Sequence, residues 1–414
     1  MNRYENYFET GYEWIGEIPS SWELSRVGKF FTERSEKVDD VTYPPLSVTM
    51  NGIVDQLSDV AKSNDNDNRK LVKKDDFVIN SRSDRKGSSG ISPRDGSVSL
   101  INIVLAPKNI DPKYIENLFK SYYFKEEYFR NGKGIHWDLW TTRWEQFKNI
   151  NIPIPPIEEQ KLISRYLDKK TSQIDSLVEK IQKKIELLKE QRNSLINHYV
   201  TKGLNPNVEM KDSGVEWIGE IPNHYSLQKI KYLFKEKKSK SNPELNSGSI
   251  SFGQVVYKDD ESILESTKES YQEVLEGEFL INPLNLNYDL KSLRIGKSKI
   301  NVVVSQGYIV LQILEGQDPD YFEYLLRKFD VVHMKSLGQG VRQTISFNNL
   351  KNEELVIPPI QEQKQIVCEL NRRTNQIDRL CSVEEQRISL LQEYRQSLVS
   401  SVVTGKVRVT EDMI

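Results

Sequence analysis

Arginine, lysine, asparagine, glutamine and serine gather at four places in this chain, on or beside glycine-bearing loops. These side chains donate to phosphates and to the edges of nucleic-acid bases, and small glycines let the backbone come close. The first place is Asn80-Ser-Arg-Ser-Asp-Arg-Lys-Gly-Ser-Ser-Gly90, which offers Arg82, Arg85, Lys86 and Ser88. The second, Gly132-Lys-Gly-Ile-His-Trp-Asp-Leu-Trp-Thr-Thr-Arg143, adds Trp137 and Arg143. The third offers Asn285, Asn287, Lys291 and Arg294. The fourth, Gly338-Gln-Gly-Val-Arg-Gln-Thr344, offers Gln339, Arg342 and Gln343. Further cations stand nearby: Lys62, Arg69, Lys70, Lys73 and Lys74 before the first loop, Lys229 to Lys240 and Lys297 in the second half. A run of charge is more often a solvated face than a site, so composition alone leaves both readings open.

Catalytic constellations are missing from the sequence. Gly296-Lys-Ser298 resembles the end of a phosphate-binding loop, but position 291 is lysine where the motif needs glycine. Asn282-Pro283 begins like the catalytic loop of base methyltransferases, but Leu284 follows where those enzymes need proline and an aromatic residue. Pro319-Asp320 begins like a nuclease carboxylate motif, but Glu323-Tyr-Leu lacks its lysine. No Gly-x-Ser-x-Gly turn stands out. The four histidines are scattered, and Cys368 and Cys381, thirteen residues apart (381 − 368) in a helical stretch, cannot bridge each other. Both cysteines read as buried or half-buried apolar residues. No metal site is expected, and the chain is expected to bind rather than to catalyse.

The 414 residues carry 37% hydrophobic and 29% charged side chains and a net charge of −2. Such a chain does not coat polyanions indiscriminately, so a nucleic-acid surface must be local. No apolar run approaches a membrane span and the first residues lack a signal-peptide core, so a cytoplasmic protein with no membrane partner is expected.

What positions the loops is a repeat. Ile154-Pro-Pro-Ile-Glu-Glu-Gln160 returns as Ile357-Pro-Pro-Ile-Gln-Glu-Gln363, a shift of 203 residues (357 − 154). The same shift carries Trp14-Ile-Gly-Glu-Ile-Pro19 onto Trp217-Ile-Gly-Glu-Ile-Pro222 and Ile174-Asp175 onto Ile377-Asp378. A period this long is a duplicated domain-plus-helix unit, not a solenoid. Within each head, Leu46–Val48, Gly52–Val54, Phe77–Ile79 and Ser97–Leu105 read as strands, as do Ile250, Val255–Val256, Phe279–Ile281, Ile300–Val304 and Tyr308–Leu311. Apolar stripes predict helices from Pro112 to about Arg130 and from Pro319 to about Met334. Only fragments of the two heads align with each other.

After each Pro-Pro pair a long helix begins, with Glu158 and Glu159 matching the positive end of its dipole. Ile174, Ile181, Leu188 and Leu195 recur every seven residues, which is a coiled-coil seam. Neither rod can bury its seam alone. Two copies in one chain close most simply as an antiparallel pair with pseudo-two-fold symmetry. The fold class is therefore α+β: two strand-rich α/β heads joined by two long helices that form an antiparallel coiled coil.

Taken together, the doubled Trp-Ile-Gly-x-Ile-Pro, Ile-Pro-Pro-Ile-x-x-Gln and Ile-Asp motifs resemble the specificity subunit of Type I restriction–modification systems. So do Leu188-Lys-Glu-Gln-Arg-Asn-Ser-Leu-Ile196 and Leu391-Gln-Glu-Tyr-Arg-Gln-Ser-Leu-Val399. The resemblance spans the whole chain. It implies a first target recognition domain at 1–153, a first conserved helix at 154–204, a second recognition domain at 205–356, a second conserved helix at 357–405 and a tail at 406–414. Each head would read one half of a bipartite site in double-stranded DNA, and the helices would set the spacer. The subunit itself would carry no cofactor and no catalytic activity. Two modification subunits would bring S-adenosylmethionine for adenine methylation, and restriction subunits would bring ATP and magnesium. Glu159, Gln160, Glu362 and Gln363 would either fix the helix–head junction, cap the helix, or touch the modification subunits. The competing class is a protein-interaction scaffold with the same rods and heads that bind proteins.

Overall fold

A computed structural model describes residues 2–57, 68–134, 140–238, 240–259, 263–284, 293–337 and 344–414. The chain forms two compact units, Met1–Gln182 with Glu385–Ile414, and Lys183–Glu384. Its two rods are the helices Ile157–Lys202, of 46 residues, and Ile360–Val403, of 44 residues. Each unit therefore holds one head together with part of both rods. None of the helices among the described residues is long and apolar enough to cross a membrane.

The first unit opens with a hairpin, Tyr7–Glu9 against Glu17–Pro19, whose connection buries Trp14 and Ile15 and whose second strand buries Ile18. Strand Glu23–Arg26 then pairs antiparallel with Asn151–Ile154. The latter strand ends at the two prolines, which cannot continue a ladder, and the rod starts there. The head proper is built on a four-stranded antiparallel sheet in the order Ser89–Ile91, Phe77–Asn80, Asn102–Pro107, Phe31–Glu33. A second sheet places Gly96–Ser99, Arg69–Val72 and Lys37–Val38 side by side. Helix Pro112–Lys120 packs its apolar face on the first sheet, with Phe119 stacked on Phe124 at 4.3 Å and edge-on to Phe77 at 5.0 Å. The same core takes Ile163, Leu167 and Ile174 from one rod and Leu398, Val399, Val402 and Val403 from the other. Full burial of such side chains is worth about 1.5–3 kcal/mol each, so the rods are part of the head's core.

The second unit repeats this plan. Met210–Asp212 pairs with Glu220–Pro222, and Ser226–Lys229 with Glu354–Ile357. Its four-stranded sheet runs Ile295–Lys297, Phe279–Ile281, Ile309–Ile313, Phe234–Glu236. That is the strand order of the first head, although the sequences align only in fragments. Helix Pro319–Val332 covers this sheet, and Ile196, Val200, Ile366 and Leu370 of the rods complete the core.

Several elements depart from the sequence reading. The run Ser97–Leu105 is not one strand: a turn at Leu100 and Ile101 splits it into Gly96–Ser99 and Asn102–Pro107, which serve different sheets. The helix expected from Pro112 to Arg130 is two, Pro112–Lys120 and Tyr122–Arg130, because Ser121 adopts extended dihedrals (φ −63, ψ 151). Strands Gln272–Val274 and Ile295–Lys297 carry too little apolar pattern to stand out. Cys381 is buried, as its apolar reading requires, but Cys368 is exposed.

The rods pair with each other, and within each unit they run antiparallel. In the first unit Arg395 donates from Nε to Asp175 Oδ1 at 2.9 Å and from its terminal nitrogen to Oδ2 at 3.3 Å. In the second, Arg192 Nε lies 3.1 Å from Asp378 Oδ1 and Lys184 Nζ 2.5 Å from Glu384 Oε1. Asp175 and Asp378 belong to the repeated Ile-Asp motif, and Arg192 and Arg395 to the repeated Leu-x-Glu-x-Arg motif. The motifs are therefore halves of one ion pair made twice. The Arg395–Asp175 pair is exposed and worth about 0.2–1 kcal/mol, so it marks register while the apolar seam holds the helices.

Candidate nucleic-acid interface and the head–rod joints

In the first head, strand Phe77–Asn80 delivers the chain into a tight loop that returns as Ser89–Ile91. The loop closes on itself. Asn80 N–H donates to Ser88 O at 2.9 Å, Arg82 N–H to Asn80 Oδ1 at 2.9 Å and Ser88 N–H to Arg85 O at 3.1 Å. Arg82 and Arg85 are left exposed. Lys86 pairs with Glu126 at 2.6 Å and lies over the Phe129 ring. Ser88 is only 6% exposed, so its hydroxyl faces the head and not solvent.

The late loop of this head docks on the first. Arg82 and Thr141 form an isolated bridge, and Thr142 N–H donates to Ser81 O at 3.0 Å. Arg143 follows directly, exposed, and starts the turn Trp144–Phe147. Arg82, Arg85 and Arg143 thus stand on two loops held together by backbone hydrogen bonds. A recess of about 410 Å³ beside them is lined by Thr49, Gln56, Asn80, Arg82, Arg85 and Asn102, among others. It is a polar surface rich in donors, suited to phosphate and base-edge contacts. Trp137 lies outside the described residues.

The second head makes the same junction. Asn282 N–H donates to Arg294 O at 2.9 Å, closing the neck of the loop, and Ile345 N–H donates to Pro283 O at 3.1 Å. Arg294 is half-buried and donates to Leu284 O at 3.1 Å. The buried Asp330 carboxylate accepts from the backbone N–H of Arg294 and, at 3.0 Å, of Ile295. Asn285, Asn287, Lys291, Gln339, Arg342 and Gln343 lie outside the described residues.

Several other cations are consumed by the heads themselves. Arg69 is 8% exposed and donates to Ser97 Oγ at 2.8 Å and Ser97 O at 3.1 Å, and burial holds its guanidinium below the usual arginine range. Lys70 pairs with Glu33 at 3.2 Å, and Lys237 with Glu278 at 2.9 Å. Lys297 pairs with Asp320 and, at 3.3 Å, with Glu323.

The repeated heptapeptides build joints. Gln160 is 2% exposed; its amide nitrogen donates to Pro155 O at 2.8 Å and its oxygen accepts from Asp111 N–H at 2.9 Å. Gln363 is 1% exposed and does the same, donating to Pro358 O at 2.9 Å and accepting from Asp318 N–H at 3.0 Å. Asp111 and Asp318 are the N-caps of the head helices Pro112–Lys120 and Pro319–Val332, so one buried amide ties the start of a rod to the start of a head helix. Tyr114 Oη lies 2.8 Å from Pro153 O and 3.1 Å from Val403 O, and Tyr321 Oη 2.8 Å from Val200 O and 3.2 Å from Val356 O. Each hydroxyl thereby reaches a carbonyl in the last turn of the other rod, where helical partners run out.

The carboxylates beside these glutamines are half-buried. Glu159 accepts from the Tyr4 hydroxyl. Glu362 accepts from Tyr225 Oη at 2.5 Å and lies 2.9 Å from His224 Nε2. Burial, then the adjacent carboxylate, pushes both phenols well above the usual tyrosine range. Gly203 ends the first rod with φ +71, and a Cβ there would collide with the Tyr225 hydroxyl and sit 2.8 Å from Glu362 Oε1. The roles of Tyr114, Tyr225, Asp330 and Asp111 are missed by sequence reasoning, since each partner is far along the chain.

Comparison with known proteins gives a consistent picture. The family model described as the Type I restriction modification DNA specificity domain matches twice, at residues 19–187 and 225–389. The chain is 26% identical to the Type I restriction enzyme MjaVIII specificity subunit of Methanocaldococcus jannaschii, covering 95% of this chain and 94% of that one. It is 23% identical to the Type I restriction enzyme EcoKI specificity subunit of Escherichia coli, covering 95% and 90%. In fold it is similar to a chain solved in work on assembly and conformational transition of the type I R-M system, with TM-score 0.68 and 13% identity over 94% of this chain and 99% of that one. The HsdS subunit from Thermoanaerobacter tengcongensis aligns with TM-score 0.51 and 15% identity, covering 96% and 99%.

Proposed function

This chain belongs to the Type I restriction modification DNA specificity family, whose domain it carries twice, and we propose that it acts as the specificity subunit of a Type I restriction–modification assembly. Each head reads one half of a bipartite site in double-stranded DNA. The rods fix the spacer between the halves. The observation that carries this reading is that two heads of one strand order, on one repeated scaffold, diverge in sequence. Two different half-sites require that combination.

On this reading Arg82, Arg85 and Arg143 meet phosphates and base edges in the first head, with Trp137. Arg294, Asn285, Asn287, Lys291, Gln339, Arg342 and Gln343 serve the second. Lys86 supplies charge at the edge of the first loop, and Ser88 supports the loop from inside. The chain targets and does no chemistry. Two modification subunits dock on it and supply S-adenosylmethionine, and restriction subunits join through the assembly with ATP and magnesium. Glu159 and Glu362 are the members of the repeated motif with partly exposed carboxylates at hand for such docking. The setting is the cytoplasm, where the DNA is.

Footprinting of the chain assembled with its modification subunit tests the reading. Two protected blocks separated by an unread spacer are expected. Replacing Arg82, Arg85, Arg294 and Arg342 together by alanine should weaken DNA binding and flatten its salt dependence, since each lost phosphate contact removes about 0.9 from the slope of log K against log salt. A single contiguous block, or an unchanged salt slope, would refute two-headed reading and favour the protein-interaction scaffold.

A further inference from the structure

In the second unit a groove of about 330 Å³ lies between the first rod and helix Pro319–Val332. Asn193 and Asn197 line it from the rod, Arg327 and Lys328 from the head helix, and Ile196 and Leu293 give it apolar walls. No described lining residue is acidic. Arg327 and Lys328 are both half-buried. Neither makes a hydrogen bond or an ion pair with any described residue; Lys328 has only the Trp217 ring, 5.9 Å away.

Around the groove, positive charge dominates. Arg192 repels Arg327 while pairing with Asp378, and Lys202 repels Lys328. Asp378 and Glu323 attract Arg327 in return, but Asp378 is engaged by Arg192 and Glu323 by Lys297. Burial, with Arg192, holds the Arg327 guanidinium below its usual range. Burial, with Lys202, brings the Lys328 ammonium down to about 8. Two desolvated cations that no described carboxylate pairs with directly are an unfavourable arrangement that an anion relieves.

The first unit provides an internal comparison. Its groove of about 640 Å³ has the same setting, between a rod and the head helix, and is lined by Lys120 and Arg395. There Lys120 pairs with Glu116 at 2.8 Å and Arg395 with Asp175 at 2.9 Å, while the third cation of the lining, Lys125, is half-buried and is attracted by Glu126. What distinguishes the second unit's groove is that its described lining holds two such cations and no carboxylate, whereas the first unit's includes Asp175. A guanidinium fork, an ammonium and two side-chain amides converging from two walls match a tetrahedral oxyanion with several acceptor oxygens.

We propose that this groove is a phosphate-binding site, filled either by inorganic phosphate or by a phosphodiester of the DNA backbone. The inorganic-phosphate arm stands apart from the DNA-reading function; the phosphodiester arm rests on it.

Inorganic phosphate titrated calorimetrically into the full chain, in chloride buffer at pH 7, should show one saturable site. Arg327→Gln with Lys328→Gln should weaken it at least tenfold. Arg327→Lys with Lys328→Arg, which keeps both charges, should retain most of the binding and serves where the double glutamine variant does not fold. Lys120→Gln in the first unit should change nothing. Absence of binding by the wild-type chain, or undiminished binding by a folded double glutamine variant, overturns the proposal. The source is read with duplex DNA of unrelated sequence. A salt slope shallower by about one to two in the double glutamine variant assigns the site to the DNA backbone. An unchanged slope beside lost phosphate binding assigns it to free phosphate.

Discussion

Replacing Gln363 by methionine should destabilise the second unit by about 2–4 kcal/mol. Methionine nearly matches glutamine in size, so little cavity forms, and the cost comes from polar groups left behind. Asp318 N–H loses its acceptor at 3.0 Å and Pro358 O its donor at 2.9 Å, at a site where the side chain is 1% exposed. An orphaned buried group costs about 1–3 kcal/mol. Asp318 is half-buried, so water offsets part of its loss and the sum falls toward the lower end. Gln361, two residues earlier and exposed, is the control, and Gln361→Met should stay within about 0.5 kcal/mol. Urea denaturation reads the total, and hydrogen exchange at residues 318–322 reads its location, since the Pro319–Val332 helix loses the group that orders its N-cap. If Gln363→Met matched Gln361→Met, the joint would not depend on this amide. Loss of complex formation without loss of stability in the free chain would instead assign Gln363 to a partner surface.

Gly203→Ala should cost more than the about 1–2 kcal/mol of a left-handed residue alone, because its Cβ strikes the Tyr225 hydroxyl, whereas Gly214→Ala, at φ +73 with nothing within 4 Å, should cost only the backbone term. Equal shifts in melting temperature would remove the steric argument. A double-mutant cycle on Asp175 and Arg395, whose side chains are 54% and 42% exposed, should give a coupling of no more than about 1 kcal/mol; a larger value would make the pair a structural anchor. Glu369 is held down at about 2 from 4.5 by its hydrogen bonds to Arg372 and Arg373. The folded-state value is the lower one, so the stabilisation is complete above about pH 4.5 and disappears as pH falls through about 2. Glu369→Gln should therefore lower stability more at pH 7 than at pH 3 in urea titrations, and an equal loss at both would contradict the assignment.

The rods and joints were legible in the sequence because they are written twice. A 203-residue shift that preserves both Ile-Asp and Leu-x-Glu-x-Arg singles those residues out before any contact is known. What each does was not legible, because Asp175 meets Arg395 and Gln160 meets Asp111 only after folding. The shared strand order of the heads was hidden for a different reason. Phe77–Asn80 and Phe279–Ile281 occupy the same place in their sheets, but a sheet interior asks only for apolar bulk, which many sequences supply. Apolar continuity also misled at Ser97–Leu105, where nothing local announces the turn at Leu100 and Ile101. Charge counting misled at Arg69, Lys237 and Lys297, whose partners within the head leave little charge for a ligand. The loop cations Arg82, Arg85 and Arg143 were identifiable by type, and the backbone bridges that bring their loops together were not.

One feature of the fold bears on how the protein is made. The second unit is a single stretch, Lys183–Glu384, whereas the first is assembled from both ends of the chain. Leu398, Val399, Val402 and Val403 belong to the core that Trp14, Phe119 and Ile163 begin. A ribosome adding about 5–20 residues per second needs roughly ten to forty seconds to travel from the first rod to those valines. Throughout that interval the first head has an open apolar side, while the second gathers all of its own residues before translation of the tail. The domain that is synthesised first is thus the one that finishes folding last, and a nascent-chain chaperone would find its substrate there.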